Sequence, residues 1–165
     1  MSMALPPPYQ PEGPALSPAL PALTSPGAQW LAETMAPPSI ITAAWADSPS
    51  HLAEVPLGVR FDVVRVAASI GLPAYDRLVR PTSALGPVLW CGPRSCVEFL
   101  VPAGSTEEWD PIRLVTIAGR GAALRCPAPG FSGRGRWWMT APDGSGILTA
   151  PGVLRAHLAH AASRV

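Results

Sequence analysis

The sequence predicts a small α/β (α+β) domain preceded by a Pro-rich tail. A strand-like run of β-branched and aromatic residues spans 58–66, and a helical pattern follows it directly. Two apolar runs, 86–91 and 96–101, flank four turn-forming residues and predict a hairpin. A strand with a following helix and a later hairpin is typical of a sheet with flanking helices, and 165 residues suit one domain.

Residues 1–38 are expected to form a largely disordered tail, and residues 39–165 the folded domain. Residues 1–27 contain eight prolines, which fix φ and remove backbone donors, so this segment favours extended or disordered chain. One interpretation is a ligand for a proline-binding groove. No basic residue flanks the prolines to orient such docking, so a linker is favoured. Short helices are expected over 29–35 and from Ser39 to Trp45.

The strand-like run alternates. One side is expected to carry Val59, Phe61 and Val63, and the other Arg60, Asp62 and Val64, with both faces at least half covered. The helix after it is expected to begin near Ala67, to be interrupted at Gly71 and to restart at Pro73. Further strands are predicted over 112–117, 122–126 and 136–140, and a last helix over 151–163.

Charge is unevenly distributed along the chain. All 12 basic residues are arginines, and the formal net charge is +1. Residues 1–59 contain four of the 11 acids and no arginine, which gives −4, whereas residues 60–165 contain 12 arginines and the other seven acids, which gives +5. The chain as a whole therefore has no polyanion-binding signature, but its folded part is mildly basic.

The three cysteines form no CxxC and no Cys/His metal spacing, and an odd count favours reduced thiols in a cytoplasm. The N-terminus lacks the features of a signal peptide, and the longest apolar runs are too short for a membrane span. We expect a cytoplasmic protein without membrane contact. Cys91 or Cys96 with His51 would suggest a thiol nucleophile, but small buried hydrophobes are the favoured interpretation.

Two further groups of residues suggest chemistry. Asp62 is a candidate metal ligand or general base, against the alternative of a structural carboxylate paired with Arg60 or Arg65. Four residues near a Gly-rich loop combine cations with aromatic rings, as single-strand binders do: Arg134, Arg136, Trp137 and Trp138. Strand alternation puts the two tryptophans on opposite faces. His157 and His160 share a helix face but make a weak metal signal.

Several motifs resemble the N-terminal domain of bifunctional DNA primase/polymerases, a branch of the archaeo-eukaryotic primase superfamily. The order of the motifs is the evidence, and it is most similar to short primase/polymerase-like proteins of high-GC actinobacteria. These motifs are Trp45 with Ser48-Pro49, the run Gly58-Val-Arg-Phe-Asp-Val-Val, the helix ending Tyr-Asp-Arg-Leu, Gly86-Pro-Val with its hairpin, and Cys126-Pro-Ala-Pro129 followed by Arg136-Trp-Trp138. The resemblance covers about three-quarters of the chain and implies a mixed sheet with flanking helices.

The resemblance also implies a mechanism. An Asp-x-Asp pair and a third acid hold two divalent ions, and a Ser-x-His contacts the phosphates of the incoming nucleotide. Here Asp62 matches the first carboxylate, but Val64 replaces the second and Val97 replaces the histidine. Glu98 and Asp110 are the candidates for the third acid. One carboxylate cannot hold two Mg²⁺ ions, so the resemblance supports the fold and argues against polymerase activity.

We therefore expect a catalytically degenerate primase/polymerase-like domain, without a cofactor, that keeps weak nucleotide or nucleic-acid contact through the basic and aromatic residues near position 136. A protein-interaction module with no nucleic-acid role is the first alternative. A residual nucleotidyltransferase dependent on Mg²⁺ is the second, with Asp62 as its remaining catalytic residue.

Overall fold

The computed structural model describes residues 25–80 and 85–165. These residues form a mixed α/β fold with four α-helices and two antiparallel sheets. The helices are α1 (Pro26–Ala32), α2 (Ser39–Asp47), α3 (Ala68–Val79) and α4 (Pro151–Ala162). The strands are β1 (Ala53–Pro56), β2 (Phe61–Ala67), β3 (Val88–Cys91), β4 (Cys96–Pro102), β5 (Val115–Ala118), β6 (Ala123–Cys126), β7 (Ser132–Gly133) and β8 (Arg136–Thr140).

The larger sheet has six strands in the order β5-β2-β4-β3-β8-β7, and the smaller one pairs β1 with β6. Every pairing of neighbours is antiparallel. The expectation of a mixed sheet is therefore wrong for the described residues. The strands β2 and β3, joined by α3, do run in the same direction, but β4 returns from its hairpin and lies between them.

The alternation predicted for the first long strand is confirmed from Phe61 onward, whereas Val59 and Arg60 precede the strand and Val59 is 61% exposed. Phe61 and Val63 are fully buried in one core cluster, and Val64 and Val66 are fully buried in the other. Because successive side chains of a strand point to opposite faces, this strand contributes to two cores at once. The near-continuous apolar run of β2 follows from that position inside the sheet.

Three layers result from these two cores. On one face of the six-stranded sheet lie α1, α2 and the β1–β6 ribbon, which enclose residues such as Trp45, Val55 and Leu124. On the other face lie α3 and α4, which bury Ile70, Leu78 and Leu154 among others. Burial of such apolar side chains is the main stabilising contribution to this arrangement.

The helix α1 corrects the expected boundary of the tail. Ser25 caps it by accepting a hydrogen bond from the Ala28 N–H at 3.2 Å, and Pro26 occupies the first turn. Its residues Ala28, Leu31 and Ala32 are fully buried. The predicted tail therefore includes a helix that packs in the core, while residues 1–24 lie outside the described residues.

The helix α3 is continuous, so the expected interruption at Gly71 is wrong. Gly71 is buried, and a Cβ placed there would lie 3.0 Å from the Val97 side chain and 3.3 Å from that of Val66. The glycine lets the helix approach the sheet closely, and this packing offsets its low helix propensity. Pro73 lies inside the same helix.

In the part of the chain that the structure covers, no helix is both long enough and apolar enough to cross a lipid bilayer.

Candidate anion-binding cleft

A cleft with a volume of about 440 Å³ opens between the two sheets, on the face that carries the β1–β6 ribbon. The six-stranded sheet and its turns form one side, and the ribbon contributes Ala123 and a neighbouring arginine to the other. Leu52, Cys91 and Pro93 complete the wall. The remaining lining residues are all arginines: Arg65, Arg94, Arg125, Arg134 and Arg136. We call this surface the arginine cleft.

Glu98 lies buried beneath the cleft and forms ion pairs with two of these arginines. Its side chain is fully buried, and its Oε2 accepts a hydrogen bond from Arg65 Nε at 2.7 Å. Its other oxygen, Oε1, accepts one from Arg136 Nη1 at 3.4 Å. The buried carboxylate is thus paired through both oxygens, as a charge removed from water must be.

Strand register explains why these three side chains meet. Arg65 on β2 pairs directly with Glu98 on β4, so both point to the same face of the sheet. Arg136 on β8 pairs with Cys91 on β3, and Cys91 in turn pairs with Cys96, which is two residues before Glu98 on β4. All of these positions share one face by the strand period of two.

Arg136 also connects the two sheets. Its Nη1 donates to the backbone carbonyl of Arg125 on β6 at 3.2 Å. Its guanidinium group therefore contacts Glu98 in the large sheet and the backbone of the ribbon. With 11% of its side chain exposed, Arg136 is the most buried of the arginines in the ion pairs of the described chain. This anchoring fixes one cation at the base of the cleft.

The other cleft arginines are open to solvent. Arg94, Arg125 and Arg134 are exposed, and none of them forms an ion pair with an acid among residues 25–80 and 85–165. Glu54 lies directly opposite Arg125 across the β1–β6 ribbon, so five guanidinium groups stand against two nearby carboxylates, Glu98 and Glu54, and the local net charge is +3. An excess of this size in a recess favours anionic ligands.

Arg134 occupies an unusual backbone position at the tip of the β7–β8 hairpin. Gly133 pairs with Arg136, so Arg134 and Gly135 form a two-residue loop. Both have positive φ, +50° and +79°, which is the signature of a type I′ turn. Asn or Gly is strongly preferred at the first loop position because other side chains are strained there. Arg134 therefore has a strained backbone, and its side chain places a positive charge at the cleft.

The cysteines near the cleft are thiols protected by burial. Cys91, Cys96 and Cys126 are all buried, and none is in a disulfide. Burial, followed by the charge of nearby Glu98, raises the pKa of Cys96 from 9.0 to about 11. The same two causes raise the pKa of Cys126. The geometry thus agrees with the small buried hydrophobes favoured from sequence, because a raised pKa suppresses the thiolate.

The structure separates the four residues predicted to contact nucleic acid. Arg134 and Arg136 both line the cleft. Trp138 is buried at 9% exposure, and its indole N–H donates to the Pro127 carbonyl at 3.0 Å. Trp137 is 45% exposed and pairs with Trp90, on the face opposite Arg136. Of the two rings, only that of Trp137 is open to solvent.

Asp62 lies on the other face of the sheet from the arginine cleft. It is 6% exposed, and its Oδ2 accepts a hydrogen bond from the Gly104 N–H at 2.8 Å. Its Oδ1 is buried and has no hydrogen-bond partner among the described residues. A recess of about 240 Å³ beside it is also lined by Glu107 and Arg120. Asp62 pairs with neither Arg60 nor Arg65, because these arginines pair with Glu33 and Glu98.

The other positions implied by the resemblance do not join Asp62 in an open cleft. Val64 and Val97 are fully buried in the core beneath α3. Glu98 points to the opposite face, and the exposed Asp110 contacts Arg155 at 3.7 Å. No group of three or more His, Cys, Asp or Glu side chains in the described chain is arranged to hold a metal ion.

Sequence reasoning missed three arginines of the cleft, Arg65, Arg94 and Arg125. They come from β2, the turn after β3, and β6, and only the pairing of distant strands brings them together. The one signal in the sequence was the excess of arginine after residue 59.

No protein-family model, no curated protein and no solved structure matches this chain.

Proposed function

We propose that this chain is a non-catalytic primase/polymerase-like domain, working in the cytoplasm, that binds single-stranded nucleic acid weakly through its phosphates. The observation that carries the proposal is the convergence of five arginines on one cleft with a net charge of +3. Two of them, Arg134 and Arg136, are those that the sequence singled out for this role.

Arginine suits phosphate recognition because its planar guanidinium group donates two parallel hydrogen bonds and stays charged at all relevant pH values. Glu98 orients Arg65 and Arg136, so less conformational entropy is lost when a phosphate binds them. The three exposed arginines add attraction that salt screens readily. We expect affinity that falls steeply as salt rises.

Trp137 provides a second contact in this proposal. Its exposed ring lies on the hairpin whose tip carries Arg134. A strand that places one phosphate in the cleft and crosses the hairpin edge would bring a base to this ring. Stacking of one base on an aromatic side chain contributes about 1–3 kcal/mol.

The surroundings of Asp62 support the non-catalytic part of the proposal. Two-metal nucleotidyl transfer needs several carboxylates on one face. Val64 and Val97 fill the core where the resemblance implies a ligand and a phosphate contact, and Glu98 faces away. We expect no template-directed primer extension with Mg²⁺ or Mn²⁺. Extension that is abolished by Asp62→Ala would favour the residual nucleotidyltransferase instead.

Binding is tested by fluorescence anisotropy with a labelled single-stranded oligonucleotide at increasing salt. Arg125→Gln and Arg134→Gln should each weaken binding at low salt and flatten the salt slope by about one unit at most. The matched control is Arg80→Gln, directly after α3 at the opposite face of the sheet, where the arginine side chain is 73% exposed. Equal losses in all three variants, or no binding by the unaltered protein at low salt, would overturn the proposal.

One observation favours the alternative of a protein-interaction module. The edge strand β5 pairs only with β2 in the described chain, and the apolar Leu114 and Ile117 beside and within it are 46% and 43% exposed. An open edge with apolar side chains is a surface on which another chain can add a strand. This alternative would be favoured if the unaltered chain binds a protein partner but no nucleic acid, and if Ile117→Lys abolishes binding of that partner.

A further inference from the structure

We propose that the arginine cleft is a site for a compact polyphosphate group, a chain of two or three linked phosphoryl groups, either free or carried by a nucleoside. This inference rests on the proposed function and names the ligand class of the same site. It differs from the nucleotide contact implied by the resemblance, because the cleft and Asp62 lie on opposite faces of the sheet.

The charge of the cleft matches such a group better than it matches a single backbone phosphate. A phosphodiester carries one negative charge, and a sugar separates it from the next. A triphosphate concentrates a charge of about −4 near neutral pH, since its terminal group has a second pKa near 6. The five arginines, Glu98 and Glu54 together carry +3 around one recess. A nucleic-acid backbone would leave most of that charge uncompensated.

The shape of the cleft points the same way. Arg94 comes from the turn after β3, Arg125 from the ribbon and Arg134 from the hairpin tip, so cations approach the recess from separate segments. Glu98 closes its base behind Arg65 and Arg136. Its volume of about 440 Å³ lies within the range of small-molecule sites, about 300–1,000 Å³.

The lining also indicates which part of a ligand is recognised. Among the described residues no aromatic side chain lines the cleft, and its uncharged lining residues are Leu52, Cys91, Pro93 and Ala123. A base therefore finds no ring to stack on inside it. Phosphoryl oxygens are recognised, and a nucleoside would remain at the mouth. The strained backbone of Arg134 fits this role, since strain is commonly retained where a side chain must serve a ligand.

The test is calorimetry on the full chain at low ionic strength with EDTA, using sodium tripolyphosphate, orthophosphate and ATP, with sulfate at matched ionic strength as the salt control. Tripolyphosphate should bind at least tenfold more tightly than orthophosphate or sulfate. Arg94→Gln and Arg125→Gln should each weaken it about tenfold, the effect of losing one charge-assisted hydrogen bond. Arg80→Gln should change it less than twofold. Tighter binding of ATP assigns the nucleotide form, and equal binding assigns free polyphosphate.

Competition separates this inference from the proposed function. Tripolyphosphate should displace the labelled oligonucleotide at concentrations at which matched sulfate does not. Oligonucleotide binding that depends on Arg125 but resists tripolyphosphate would overturn the inference and keep the proposed function. Tripolyphosphate binding without any oligonucleotide binding would support the polyphosphate site and overturn the nucleic-acid role. Absence of both at low salt would overturn both.

Discussion

The Glu98→Gln substitution tests whether the buried carboxylate organises the cleft. Glutamine keeps the size and one acceptor oxygen of the glutamate, but it removes the charge that faces two guanidinium groups. In the native chain these contacts are 2.7 Å to Arg65 and 3.4 Å to Arg136, with the glutamate side chain fully buried. One charge-assisted bond is lost, and an amide N–H₂ is turned toward a cation.

The structure sets the size of the effect. Removing one partner of a fully buried pair costs about 3–5 kcal/mol. Here 27% of the Arg65 side chain and 11% of the Arg136 side chain are exposed to the cleft, so water compensates in part. We expect Glu98→Gln to lower the free energy of unfolding by about 2–3 kcal/mol. At about 2–4 °C per kcal/mol for a chain of this size, the melting temperature should fall by about 4–12 °C.

Urea denaturation followed by circular dichroism measures this change, and Asp76→Asn is the control. Asp76 on α3 pairs at 3.3 Å with Arg80, which directly follows the helix, but both side chains are at least 70% exposed. Such an i,i+4 pair contributes only about 0.3–0.5 kcal/mol. A Glu98→Gln protein within about 0.5 kcal/mol of the unaltered chain, the scale of this exposed pair, would refute the reasoning.

Three further predictions follow from the packing and the backbone. Arg134→Asn should raise the free energy of unfolding by about 1 kcal/mol, because asparagine adopts the left-handed backbone conformation with less strain. The same substitution should weaken oligonucleotide binding in the anisotropy assay. A variant less stable than the unaltered chain would contradict the turn geometry. Because burial raises the pKa of Cys96 to about 11, the stability that its protonated thiol provides is complete below pH 9 and is lost as pH rises from 9 to 11. Thermal melts should show the melting temperature falling between pH 9 and pH 11, and this fall should be smaller in Cys96→Ala. An equal fall in both proteins would argue against a contribution from Cys96. Leu31→Ala should lower the free energy of unfolding, measured by urea denaturation, by about 2–5 kcal/mol, because α1 belongs to the core. A negligible change would mean that α1 does not pack in the core and that the predicted tail boundary at residue 38 is correct.

Local patterns predicted much of the fold. The strand over 136–140 is confirmed at both ends, and the hairpin of β3 and β4 is confirmed with its turn at residues 92–95. Each depends on alternation or on turn-forming residues within a short window. The packing of α1 was missed because its partners lie far away in sequence, among them Phe61, on which Trp30 stacks at 5.4 Å between ring centroids.

The site was predicted only in part, for the same physical reason. Arg134 and Arg136 stood out because they are close in sequence to aromatic residues. The pairing of Arg65 with Glu98 spans 33 residues and depends on strand register. Arg125 reaches the cleft because β6 pairs with β1 and packs over the larger sheet, which no local pattern encodes.

The β1–β6 ribbon forms one wall of the cleft, and this has a consequence for local opening. A two-stranded ribbon is marginally stable by itself in water, so this one depends on the core beneath it and on the contact from Arg136 to the Arg125 carbonyl. Its backbone should open at a lower free energy than the six-stranded sheet, and its amides should exchange with deuterium sooner than those of β4. A ligand that bridges the two walls would slow exchange in β6 most of all.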